Sequence, residues 1–158
     1  MNPIQKTLAT LVLPLLFSAA APAAPPLEKS HNLLGPSVGV AGYDPVAYFA
    51  EGGGAPKKGL ISLSSTFEGV TYRFATKENQ ARFDKSPARF LPQYGGWCAW
   101  AVGALGKRVD IDPEAFEVKN GRLFLFYRDP SIDARALWLK DRDGLFEKAE
   151  KTWPSLAN

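Results

Sequence analysis

The 158-residue chain holds one cysteine, one histidine and one methionine. A lone cysteine cannot form an internal disulfide, so the fold must be held by its core. The same scarcity limits metal chemistry. A structural zinc site uses four ligands, more than Cys98 and His31 supply between them. Only a two-coordinate Cu(I) site, which suits a thiolate, would need so few. Charge of one sign is scarce too: 19 Lys and Arg face 16 Asp and Glu, for a net charge of +3. The basic residues are scattered rather than striped, which argues against a nucleic-acid interface. No repeat recurs at a fixed period, and beyond the N-terminus no apolar run is long enough to span a bilayer. What is present is 46% hydrophobic and 12% aromatic sequence, the composition of one globular domain with a real core.

The N-terminus reads as an export signal over residues 1–23. Lys6 gives a short positive region, Leu8 to Ala20 an apolar one, and Ala21-Pro22-Ala23 a small-x-small cleavage site ahead of Ala24. The apolar run is short and interrupted by Pro14, so a cleaved signal is expected rather than a membrane anchor. No cysteine follows it to carry a lipid. The expected location is the periplasm or the exterior, with no stable membrane span after cleavage. Residues 24–38, rich in Pro and polar side chains, read as a flexible leader carrying His31.

The domain itself is expected over 39–156. Asp44-Pro45 reads as a helix start, with Asp accepting backbone N–H bonds and Pro in the first turn. Leu60 to Phe67 and Val70 to Ala75 read as a hairpin about Glu68-Gly69, with Val70, Tyr72 and Phe74 on one buried face. Thr76 caps a helix over Lys77 to Lys85, and Ser86-Pro87 starts a shorter one. A helix is expected from Trp97 to Leu105, where Ala99, Ala101 and Ala104 suit close packing. Asp112-Pro113 repeats the helix-start signal. Asn120-Gly121 marks a second hairpin, Phe116 to Lys119 with Arg122 to Tyr127. Asp129-Pro130 opens a further helix, and Leu145 to Trp153 a last one ended before Pro154. The predicted class is α+β: two β-hairpins forming an antiparallel sheet, packed with short helices.

The chain is organised around Tyr94-Gly95-Gly96-Trp97-Cys98. Two adjacent glycines allow positive φ and close approach, and they precede a thiol set among large aromatics. A thiol in the first turn of a helix has its pKa lowered by oriented N–H groups, which favours metal binding and reactivity. The competing reading is a small buried hydrophobe. Cys98 and His31 are the candidate metal ligands. Tyr43, Asp44, Tyr48, Tyr94, Trp97 and Trp100 are the candidate ligand-binding residues, since aromatics with a few polar tips suit small-molecule sites. For Asp44, as for Asp112, capping is a sufficient reason on its own.

Four segments carry a family resemblance: GYDPVAYF at 42–49, YRFATKENQARFDKSPARFLPQYGGWCAWAV at 72–102, IDPEAFEVKNGRLFL at 111–125 and KAEKTWP at 148–154. Their order and spacing resemble the exported single-domain branch of the YHS-domain family. The resemblance implies a small module related to treble-clef-like metal-binding domains, a group found among copper-handling proteins. The cysteine-bearing branch of that family has two thiols where this chain has Ala75 and Asn79, so the fold carries over and the thiolate ligand set does not. The resulting expectation is an exported binding module that holds a copper ion or a small ligand in a pocket around Cys98, without catalysis. Two alternatives stand beside it: an enzyme with Cys98 as nucleophile, which needs a base within reach, and a protein-interaction module joined through an intermolecular disulfide.

Overall fold

The computed structural model describes residues 26–158. The expected signal peptide, with Ala24 and Pro25, lies outside the described residues. Local capping explains the first elements. Thr76 accepts from the Asn79 N–H at 3.1 Å and starts helix α2, Lys77–Lys85, which follows hairpin β3–β4, Leu60–Phe67 and Val70–Phe74. The Glu68-Gly69 turn takes positive φ at both residues, as a tight hairpin requires. The second hairpin joins β5, Asp112–Lys119, to β6, Arg122–Phe126, through Asn120-Gly121, again with positive φ at both.

The α+β class and both hairpins are present, but the hairpins lie in two sheets rather than one. β3 and β4 extend into a mixed four-stranded sheet in the order β1-β2-β4-β3, where β1 is Leu33–Leu34 and β2 is Val38–Gly39. The β2–β4 pair is parallel, and β5–β6 stands apart as a two-stranded sheet. The added strands come from the leader, so residues 26–38 do not form the loose tail expected of them. A helical turn, α1, covers Leu27–Ser30, and the Thr71 N–H donates to the Ser37 carbonyl at 2.7 Å. Polar, Pro-rich composition hid this, because the docking is carried mainly by main-chain bonds.

Two aspartates expected to start helices do otherwise. Asp112 opens β5, its carboxylate taking the Glu114 N–H and pairing with Arg128. Asp129 caps a turn, and the following helix α4, Ala134–Lys140, is capped by Asp133. The last helix, α5, runs Arg142–Leu156 and continues through Pro154, which is tolerable in its final turn. Helix α3, Ala99–Leu105, crosses α5 closely, and Gly103 is the contact point: a Cβ there would lie 2.4 Å from the Leu145 carbonyl oxygen.

β6 organises the interior. Its sequence, RLFLF, is apolar on both faces, as a strand buried on both sides must be. Leu123 and Leu125 enter a core with Val46, Tyr72, Phe74 and Phe83. Phe124 and Phe126 enter a second core with Cys98, Val102, Trp138 and Ala149. One strand therefore supplies a wall to both. Among the described residues no helix is long and apolar enough to cross a membrane.

Candidate functional site

The sequence-predicted residues fall into three places. Asp44 is fully buried and its carboxylate makes four hydrogen bonds: Oδ1 accepts from the N–H groups of Val46 (2.9 Å) and Ala47 (3.2 Å), and Oδ2 from Ala75 N–H (2.9 Å) and Asn79 Nδ2 (2.8 Å). It does more than the local capping expected of it, since it ties its own loop to the end of β4 and to α2. The segment it caps forms turns and a short 3₁₀ stretch at Ala50–Gly52, not a regular helix. Ala75 and Asn79, where the resemblance marks missing thiols, both meet on this one carboxylate. Tyr48 is buried against Phe116 and donates its hydroxyl to the Pro113 carbonyl at 2.9 Å. Burial pushes its pKa well up, so the phenol stays a donor. Tyr43, half-buried beside it, is raised by the same cause and by the nearby Glu114 and Asp112 carboxylates. With every oxygen of Asp44 occupied, this trio is a structural knot.

Cys98 lies in the second place. It stands immediately before α3 and is 0% exposed, packed among Ala99, Val102 and other core residues. Burial pushes its thiol pKa up; the N–H groups of Tyr127, Ala101 and Trp100 pull the other way and are outweighed. The expected lowering at a helix start is thus reversed by desolvation. Trp97 and Trp100 are half-buried and pack on the same core, Trp97 beneath the Arg108 guanidinium at 5.8 Å. The glycine pair serves a different purpose from forming a thiol pocket. A Cβ on Gly95 would lie 1.8 Å from the Ser30 carbonyl oxygen, and the Asn32 N–H donates to the Gly95 carbonyl at 2.9 Å. The turn is bare so that the leader can lie on it.

The third place is the concave one. A cleft of about 480 Å³ opens between the leader, the Gln93–Gly95 turn, the start of β6 and the end of α5. Of the predicted residues, His31 and Tyr94 line it, and Cys98 does not. Tyr94 sits at φ +54° and donates its hydroxyl to Glu150 Oε1 at 3.0 Å. Arg122 Nη2 also reaches Glu150 Oε1 at 3.0 Å, while its Nε and Nη2 both donate to Gln93 Oε1. The guanidinium is further seated over the rings of Phe146 and Phe124, 4.6 and 5.7 Å from their centres. Trp153 stands edge-on to Tyr94, with ring centres 6.0 Å apart, and forms an aromatic wall. His31 is half-buried, its Nδ1 2.9 Å from Ser30 Oγ, and desolvation lowers its pKa.

The copper expectation can be tested on these donors. The thiol is sealed in a core and favours its protonated form, and the imidazole belongs to a cleft that the thiol does not reach. The pair does not fit a metal ion. Among the described residues no group of three or more His, Cys, Asp or Glu side chains could hold one. The same burial leaves Cys98 with no exposed surface from which to attack a substrate or meet another chain's thiol in this structure. Gln93, Arg122, Glu150 and Trp153 escaped the sequence reading. Each has an ordinary local role at a turn, a hairpin or an amphipathic helix, and no short motif joins them. Comparison of the chain with family models, with curated proteins and with solved structures finds no match.

Proposed function

We propose that this chain is an exported binding module of YHS type whose ligand is a small polar organic molecule, held in the cleft between the leader and α5. One observation carries the reading: polar side chains from four separate segments, His31, Gln93, Arg122 and Glu150, converge on a single concavity with aromatic walls. Such a concavity, largely preformed and furnished with a few oriented polar groups, is the ordinary form of a small-molecule site. The guanidinium is fixed by two rings and an amide before a ligand arrives, which lowers the cost of binding. Export is supported by the N-terminal sequence and the YHS assignment by the four quoted segments.

The test is a thermal-shift screen of a broad metabolite panel against wild type and Ala88→Trp. Ala88 is exposed on the cleft wall, so an indole there fills the opening without entering the core. A ligand present at about a hundred times its Kd stabilises by about 2.7 kcal/mol, several degrees for a domain of this size. Compounds that shift the wild type and fail to shift Ala88→Trp support the site. Equal shifts in both variants, or none across the panel, overturn it.

A further inference from the structure

The cleft carries one full charge of each sign, side by side. Arg122 and Glu150 are 3.0 Å apart, with side chains 35% and 44% exposed. An ion pair so open to water holds its partners weakly and can be re-shared with a ligand. Neither group is exhausted. Arg122 Nη1 and Gln93 Nε2 take no part in the bonds described, and they remain as donors. Glu150 Oε2 remains as an acceptor. The other titratable groups of the cleft add little charge. Burial lowers the His31 pKa and raises that of Tyr94, so both tend to stay neutral.

A ligand with a single charge would strip one member of the pair of its counter-ion. A ligand with both charges, a short distance apart, pairs with each member and leaves neither unmatched. The space also exceeds what such a headgroup fills, and its larger apolar walls include Trp153, Tyr72, Leu91 and Pro92. Resting on the binding reading above, we propose that the cleft takes an α-amino acid as its zwitterion. The ligand carboxylate faces Arg122 and Gln93, its ammonium faces Glu150, and a large apolar or aromatic side chain lies against Trp153.

The experiment is calorimetric titration of the purified protein with L-phenylalanine, with N-acetyl-phenylalanine, which lacks the positive charge, and with phenylalanine amide, which lacks the negative one. Charge-assisted hydrogen bonds are the strong ones, so each analogue is expected to bind at least about tenfold more weakly than the zwitterion. Glu150→Gln should weaken the zwitterion by a similar factor while narrowing its gap to N-acetyl-phenylalanine, a change that misfolding alone would not produce. If either analogue binds as tightly as the zwitterion and Ala88→Trp abolishes that binding, the zwitterion assignment falls and the cleft stands. If none of the three binds, the assignment falls as well, and the panel screen decides separately on the cleft.

Discussion

At the scale of single residues, the side chain that matters most for integrity is Asp44. A buried carboxylate is stable only when its oxygens are satisfied, and here two main-chain N–H groups of its own loop, one from the end of β4 and one side-chain amide share that duty. Asp44→Ala leaves those donors without a partner inside the protein. The loss expected in chemical denaturation is about 3 kcal/mol or more, since unsatisfied buried groups cost about 1–3 kcal/mol, more when the partner is charged. An unchanged midpoint would show that water replaces the carboxylate. Cys98 teaches the opposite lesson. Its position at a helix start points to a reactive thiolate, and its 0% exposure decides otherwise. Burial at a given position is a property of the assembled core, which is why the sequence left both readings of the thiol open.

Among the elements, the leader is the one whose docking should respond to pH. Arg108 Nη1 holds it through the carbonyls of Glu28 and Lys29, and Asn32 ties it to Gly95 and Gly96. His31 sits within it, its pKa lowered below the ordinary 6.5 by desolvation, partly offset by the Glu68 carboxylate and a Leu27 backbone bond. The unfolded or undocked segment therefore binds a proton more readily than the docked one. The docked state has its full stability above 6.5 and loses it as pH falls below that value. Amide protection over residues 27–34, corrected for intrinsic exchange, should hold above 6.5 and drop as pH falls below that value. His31→Gln should flatten the profile, and an equal drop in that variant would place the sensitivity elsewhere. Elements set by neighbouring residues were legible: α2 spans Lys77–Lys85 as its Thr76 cap predicts, and Asn120-Gly121 gives its hairpin. Asp112 misled because the same Asp-Pro pair that can cap a helix can also begin a strand once Arg128 lies opposite.

For the molecule as a whole, β6 makes two cores behave as one. All four tryptophans belong to or pack on the core that holds Cys98, while Leu125 faces the other core. Tryptophan fluorescence therefore views one side, and Leu125→Ala perturbs the other. The truncation should cost about 2–5 kcal/mol, as for other fully buried leucines. Fluorescence and far-UV circular dichroism should shift together by that full amount, the mark of a single transition. A fluorescence midpoint that stays in place would mean the cores unfold separately. The cleft was the least legible feature at this scale. Its walls come from the leader, the Tyr94 turn, β6 and α5, and each residue there satisfies a local rule that conceals a shared purpose.

That arrangement has a consequence for synthesis. Ser30 and His31 form one wall of the cleft, and Trp153 and Ala157 form another, so residues made early and late must meet to complete it. Contacts so distant along the chain close late in folding. A chain that stops short of α5 lacks the Glu150, Trp153 and Ala157 side of the cleft, so the cleft takes shape only once the leader and α5 are both in place.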